Sequence, residues 1–119
     1  MSEKIKVISV EDNESYRKMI KEFLRNNNDI ELVKEFVSAE GLLKYLKKNE
    51  GKSIDVILLD LNLPGTIQGI DAIPEILLIN ENINILVLTI DNNDKNVLNS
   101  IKAGAKGYVL KDNTQDELI

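Results

Sequence analysis

The sequence contains no cysteine and no histidine. Without cysteine, the chain has no disulfide framework, no thiol nucleophile and no thiolate zinc site. Without histidine, it has neither a Ser-His-Asp triad nor a histidine-ligated metal. Any site must therefore be built from carboxylate, hydroxyl, amide and ammonium groups. The oxygen ligands among these suit a hard cation such as Mg²⁺.

Long apolar runs and basic clusters are also absent. No run approaches the roughly 20 apolar residues of a membrane-spanning helix, and the N-terminus shows no signal-peptide pattern. The 119 residues include 20 acidic and 15 basic side chains, so the net charge is −5. This balance argues against direct binding of nucleic acid or of an anionic membrane. We expect one cytoplasmic domain, residues 1–119, that does not bind a membrane.

The apolar pattern predicts five strands that alternate with helices. The third and fourth strands are continuously apolar, which is typical of strands covered on both faces of a parallel sheet. The second strand alternates with polar residues and is expected at an edge. The predicted strands are Ile5–Val10, Ile30–Val37, Ile54–Leu59, Ile85–Leu88 and Gly107–Leu110.

Capping residues and apolar spacing predict the helices. Asn13 and Ser38 are the expected N-caps of the first two helices. The third helix is predicted over Asp71–Asn80, with Pro74 in the first turn, where a missing N–H is tolerated. The apolar residues that mark the fourth helix are Val97, Leu98 and Ile101.

This order of elements predicts an α/β fold: a (βα)₅ chain with a doubly wound, parallel, five-stranded sheet. Thr114 and Glu117 form a capping box, so a fifth helix is expected to begin there. Since the sequence stops at Ile119, we expect either a chain truncated from a longer one or a stunted fifth helix. In such folds the functional site lies at the carboxyl ends of the strands, near the point where the strand order reverses.

Charged and hydroxyl side chains stand at this predicted edge. Glu11 and Asp12 follow the first strand, Asp60 the third, Thr89 the fourth and Lys111 the fifth. Two carboxylates about 4 Å apart repel by roughly 4 kcal/mol at an effective dielectric constant of 20, so we expect the acids to bind Mg²⁺. Asp60 is expected to be a nucleophile that forms an acyl phosphate. Thr89 and Lys111 would hold the phosphoryl group.

The arrangement resembles the receiver domain of two-component response regulators over essentially the whole chain. The last motif is most similar to the NarL/LuxR-type branch, whose receivers usually precede a helix-turn-helix DNA-binding domain. The resemblance implies a flavodoxin-like receiver fold. The matching motifs are Val10-Glu11-Asp12-Asn13, Ile57-Leu58-Leu59-Asp60-Leu61-Asn62-Leu63-Pro64-Gly65, Val87-Leu88-Thr89 and Gly104-Ala105-Lys106-Gly107-Tyr108-Val109-Leu110-Lys111-Asp112.

The resemblance implies a role for each residue of the site. Asp60 would be the phosphoacceptor, and Asp12 and Asp60 would be direct Mg²⁺ ligands. Glu11 would act mostly through water, and the backbone carbonyl of Asn62 would be the third protein ligand. Tyr108 would change position together with the phosphoryl-binding threonine on activation.

The resemblance also implies the partners. Because the chain has no histidine, a phosphohistidine donor must belong to a partner sensor histidine kinase. The output would be altered homodimerisation or control of transcription, with DNA bound only through a C-terminal output domain absent from this sequence. The domain would be an enzyme only in a limited sense, since it would catalyse its own phosphorylation and dephosphorylation.

Three departures from the family pattern bear on this interpretation. Ile90 stands where the family has a small residue, and Asp112 stands where many members have proline. The segment from Asp60 to Gly69 is one residue longer than usual. Ile90 leaves open the alternative of a receiver-like interaction module that is not phosphorylated.

Two other functions fit less well. A phosphatase of the haloacid-dehalogenase type needs a second aspartate as general acid, where this chain has Asn62. A flavodoxin-like cofactor binder needs a phosphate loop rich in Ser, Thr and Gly after the first strand. Glu11 and Asp12 would repel a phosphate at that position.

Overall fold

The computed structural model describes residues 4–89 and 95–111. Within these ranges, strands and helices alternate in the predicted order. The elements are β1 Ile5–Val10, α1 Glu14–Arg25, β2 Ile30–Phe36, α2 Ala39–Asn49, β3 Val56–Asp60, α3 Gly69–Ile79, β4 Asn84–Thr89, α4 Lys95–Ala103 and β5 Gly107–Leu110.

The five strands form one parallel sheet in the order β2-β1-β3-β4-β5. The predicted doubly wound parallel sheet is therefore confirmed, and β2 lies at an edge as expected. From β1 the chain moves outward to β2 and then returns to β3 on the other side of β1. The strand order thus reverses between β1 and β3, and the carboxyl ends of these two strands flank the crevice typical of such folds.

Apolar side chains cover both faces of the sheet, because successive residues of a strand point to opposite faces. On one face, Leu58 and Leu88 pack with Ile20 and Leu24 of α1. On the other face, Ile57 and its neighbours pack against α2, α3 and α4. β3 and β4 are therefore packed on both faces, and this packing fixes the backbone at their carboxyl ends.

The third helix begins earlier than predicted. Because α3 runs over Gly69–Ile79, Pro74 is its sixth residue, and its predicted place in the first turn is wrong. A Cβ atom on Gly69 would lie 2.3 Å from the carbonyl oxygen of Asp60. This close approach to β3 lets the helix start before Asp71. Pro74 lies on the exposed side of α3, and the Ile70 carbonyl lacks the N–H partner that another residue would supply.

Strand boundaries also differ slightly from the predicted ones. β3 spans Val56–Asp60, so the predicted start at Ile54 is wrong and Asp60 is itself the last strand residue. β4 is longer by one residue at each end, whereas β2 ends at Phe36, before Val37. The site residue Asp60 is consequently anchored by the sheet rather than by a loop.

The fourth helix is confirmed, but its apolar residues are not all buried. Val97 is buried, whereas Leu98 and Ile101 are exposed. No helix in residues 4–89 and 95–111 is long and apolar enough to span a bilayer. The predictions for Ile90, Asp112 and the fifth helix from Thr114 onward fall outside the described residues.

Candidate functional site

The turn after β1 fixes the first acidic residue of the site. Glu11 is fully buried, and its backbone N–H donates to the carbonyl of Phe36 at 2.9 Å. Its Oε2 accepts a hydrogen bond from the Asn13 N–H at 3.0 Å. Asn13 in turn caps α1, because its Oδ1 accepts from the Tyr16 N–H at 2.8 Å. The predicted N-cap is therefore confirmed, and it holds the acidic turn rigidly.

Arg17 of α1 holds the same turn by hydrogen bonds to its backbone. Its Nη1 donates to the backbone carbonyl of Glu11 at 3.0 Å and to that of Asp12 at 3.3 Å. Bonds with a charged donor are stronger than neutral ones. Arg17 therefore fixes the backbone of both acidic residues without neutralising their carboxylates directly.

Asp60 lies at the end of β3 and is almost fully buried. Its Oδ1 accepts a hydrogen bond from the Asn62 N–H at 3.0 Å. Leu61 and Leu63 on either side of Asn62 are buried in the core, whereas Asn62 is exposed. The two leucines thus anchor the first part of the β3–α3 loop.

Lys111 reaches into the site from the residue after β5. Its Nζ lies 2.8 Å from Glu11 Oε1 and 3.2 Å from Asp60 Oδ2. It also lies 5.0 Å from the centre of the Tyr16 ring, within the range of a cation–π interaction. Burial disfavours the ammonium charge, but the hydrogen bond to Glu11 and the nearby carboxylates outweigh it and raise the pKa of Lys111.

Burial and the neighbouring charged groups shift the pH at which the Asp60 carboxyl group is protonated. Burial is the main cause that raises the pKa of Asp60 to about 6. The Asn62 N–H lowers this pKa, and the nearby charge of Glu11 raises it. Asp60 is thus ionised at neutral pH, but its pKa lies only slightly below that pH. A positive charge bound in the site would lower the pKa and increase the ionised fraction.

Three carboxylates converge at this edge of the sheet. One carboxylate oxygen from each of Glu11, Asp12 and Asp60 lies within 4.8 Å of the other two. Asp12 is exposed, so the cluster is accessible from solvent. Within residues 4–89 and 95–111, the Lys111 ammonium forms ion pairs with two of these carboxylates, Glu11 and Asp60. The surplus negative charge and the oxygen donors fit a hard divalent cation such as Mg²⁺.

Thr89 and Tyr108 occupy different positions relative to this cluster. Thr89 is buried at the end of β4, one residue beyond Leu88, which pairs with Asp60. It pairs in register with Leu110, directly before Lys111, so it shares the carboxyl edge with both. Tyr108 lies further back along β5 and is 42% exposed. The structure thus brings Thr89 and Lys111 to the same edge as the acidic cluster, whereas it places Tyr108 two residues before the end of β5.

Sequence reasoning missed three side chains that support the site. Arg17 and Tyr16 lie on the first turns of α1, where spacing from the acidic pair is the only available signal. Glu40 contacts the β3–α3 loop at Thr66 and Ile67. Nothing in the sequence indicates this last contact, because the partners are 26 and 27 residues away.

Comparison with known proteins points to one family. The family model described as the response regulator receiver domain matches residues 7–119. The chain is 33% identical over 120 residues to the nitrate/nitrite response regulator protein homolog of Haemophilus influenzae, covering 100% of this chain and 55% of that protein. It is 35% identical over 115 residues to the uncharacterized transcriptional regulatory protein YhcZ of Bacillus subtilis, covering 97% and 52%.

Solved structures agree with this comparison. The isolated REC domain of RcsB from Salmonella enterica serovar Typhimurium, solved in the presence of phosphomimetic BeF3−, has a TM-score of 0.84 and 26% identity. The match covers 97% of this chain and 83% of that chain. The chain spans about half the length of the curated relatives it matches.

Proposed function

Because the chain belongs to the family of response regulator receiver domains, we propose that Asp60 accepts a phosphoryl group in a Mg²⁺-dependent reaction. One observation supports this most directly. Buried Asp60 lies beside Glu11, Asp12 and Lys111 at the point where the strand order reverses. A fixed carboxylate, a surplus of acidic ligands and one positioned ammonium group are what phosphoryl transfer to an aspartate requires.

The metal would be held by Asp12, Asp60 and the backbone carbonyl of Asn62, with Glu11 acting mostly through water. When bound, Mg²⁺ supplies positive charge that offsets the acids and the phosphoryl oxygens. Asp60 reacts in its ionised form, and its pKa of about 6 leaves it ionised at neutral pH.

Transfer forms one bond and breaks one. An oxygen of Asp60 attacks the phosphorus of a phosphohistidine, a P–O bond forms, and the P–N bond to the donor imidazole breaks. The product is an acyl phosphate on Asp60. Lys111, now paired with Asp60, would contact a phosphoryl oxygen, and Thr89 would donate a hydrogen bond to another.

The donor is proposed to be a sensor histidine kinase, since this chain contains no histidine. Phosphorylation would bias the surface that includes α4, β5 and Tyr108 and so control dimerisation or an output unit. The names of the relatives describe transcriptional regulators, and they are about twice as long as the matched region. We propose that residues 1–119 are the receiver part of such a regulator, which binds DNA through a separate domain.

The test combines acetyl phosphate with intact-protein mass spectrometry. The unsubstituted protein is expected to gain one phosphoryl group with Mg²⁺ and none with a chelator. Asp60→Asn should gain none, and Asp71→Asn, a change of an exposed aspartate on α3, should behave like the parent. If the parent is not modified, Ile90→Ala tests whether the large Ile90 side chain excludes acetyl phosphate or whether Asp60 does not react. If neither this variant nor the parent is modified, and neither binds Mg²⁺, the unphosphorylated interaction module is favoured.

A further inference from the structure

Glu40, on the first turn of α2, contacts the loop that connects β3 to α3. Its Oε2 accepts hydrogen bonds from the Thr66 N–H at 2.9 Å, the Thr66 hydroxyl at 3.1 Å and the Ile67 N–H at 3.2 Å. The start of α2 is itself fixed, because Ser38 Oγ caps it by accepting from the Gly41 N–H. A rigid helix end therefore holds the middle of this loop.

The loop is shaped around the Glu40 carboxylate. Gly65 has a φ of +96°, and a Cβ atom there would lie 2.6 Å from Glu40 Oε2 and 2.8 Å from Oε1. The positive φ favours glycine here, and a larger residue would also displace the Glu40 carboxylate. Backbone N–H groups, its own and that of Ile67, lower the pKa of Glu40, so the carboxylate is charged at neutral pH.

Both ends of the same loop return to Asp60. At the start, the Asn62 N–H donates to Asp60 Oδ1 at 3.0 Å. At the end, Gly69 packs directly against the Asp60 carbonyl. Between these points, Thr66 and Ile67 are exposed or half-buried. Ile67 also packs against the apolar core, so the hydrogen bonds to Glu40 act together with this packing to hold the middle of the loop.

We propose that Glu40 is a positioning residue for the metal-binding loop: by holding Thr66 and Ile67 it restrains the part of the loop that follows Leu63, adds to the anchoring by Leu61 and Leu63 on either side of Asn62, and so preserves the Mg²⁺ affinity of the site. This inference rests on the proposed function, because Asn62 is a ligand only there. It also explains how the chain accommodates a long β3–α3 connection, since a longer loop loses more conformational freedom on ordering.

The experiment compares Glu40→Ala, Glu40→Gln and the control Glu75→Ala, which removes an exposed glutamate from α3. Three quantities are measured on the full chain. They are the Mg²⁺ dissociation constant by calorimetry, amide hydrogen exchange of residues 62–67 without metal, and the urea midpoint of unfolding. The exchange measurement does not depend on metal binding or on phosphorylation.

Glu40→Ala is expected to weaken Mg²⁺ binding about tenfold, the usual size for loss of a residue that orients a metal ligand. Exchange at Thr66 and Ile67 should accelerate in the same variant. Glu40→Gln keeps an oxygen acceptor, so it should restore most of the protection and affinity. Glu75→Ala should match the parent in all three measurements.

Three distinguishable outcomes would overturn the inference. If the parent binds Mg²⁺ and Glu40→Ala binds it equally well, Glu40 has no positioning role and the proposed function stands. If the parent binds no Mg²⁺, the proposed function fails and the inference fails with it. A lower urea midpoint in Glu40→Ala without faster loop exchange or weaker Mg²⁺ binding would show a purely structural role.

Discussion

Lys111 Nζ lies 3.2 Å from Asp60 Oδ2, although the two residues are 51 positions apart in the chain. β4 separates their strands in the sheet, so the lysine side chain bridges across the end of β4. The same Nζ lies 2.8 Å from Glu11 Oε1. Lys111 therefore compensates the negative charge of both acids, and under the proposed function the same ammonium group would contact a phosphoryl oxygen on Asp60.

Lys111→Met should destabilise the metal-free protein. The substitution keeps the apolar stem but leaves the buried carboxylates of Glu11 and Asp60 without their ammonium partner. Removing one partner of a buried ion pair costs about 3 kcal/mol, and added Mg²⁺ should recover part of this loss. Urea unfolding with a chelator and with Mg²⁺ measures both effects. Lys106→Met, an exposed lysine before β5, is the control and should change the free energy of unfolding little.

Asp60→Asn should stabilise the metal-free protein at neutral pH. In the parent, the pKa of Asp60 is about 6 in the folded protein and about 4 in an unfolded chain. The folded state therefore binds more protons between these values, and the free energy of unfolding falls as the pH rises through this window. Replacing the carboxylate by an amide should raise that free energy by about 1–3 kcal/mol above pH 7.

The pH profile separates this electrostatic gain from a packing effect. The gain of Asp60→Asn should shrink as the pH falls from 7 towards 4, because Asp60 becomes protonated in the parent. Denaturant titrations of the parent and the variant, at several pH values and in the presence of a chelator, measure this difference in the free energy of unfolding. A gain that does not change with pH would contradict the electrostatic explanation.

The sequence was sufficient to predict the parallel sheet and the convergence of the acidic residues and Lys111 at one of its edges. Parallel strands bring their carboxyl ends to one edge, so Glu11, Asp60 and Lys111 meet once the strand pattern is known. The start of α3 could not be predicted, because it depends on how closely Gly69 approaches Asp60. The contacts of Glu40 and Arg17 depend on the path of two loops, which no local pattern specifies.

Gly69→Ala tests how closely the start of α3 packs against the backbone of Asp60. The added Cβ would meet the Asp60 carbonyl at 2.3 Å and the Leu61 Cα at 2.9 Å. Both are backbone atoms that cannot rotate away, so the variant should lose about 1–3 kcal/mol of stability. Gly41→Ala is the matched control, since its Cβ would meet only side-chain atoms at 3.4 Å. If both variants have the same urea midpoint, the seating is looser than the structure shows.

Arg17→Met should weaken Mg²⁺ binding, for a reason that a second variant can isolate. Arg17 has two opposing effects: its charge disfavours a cation nearby, and its hydrogen bonds order the turn that bears Glu11 and Asp12. Because Arg17 is only half-buried, solvent screens its charge, and we expect the ordering effect to dominate with a loss of about tenfold. Arg17→Lys keeps the charge but not the guanidinium geometry, so calorimetry should show the same loss. Tighter binding in Arg17→Met, with Arg17→Lys unchanged, would show instead that the charge dominates.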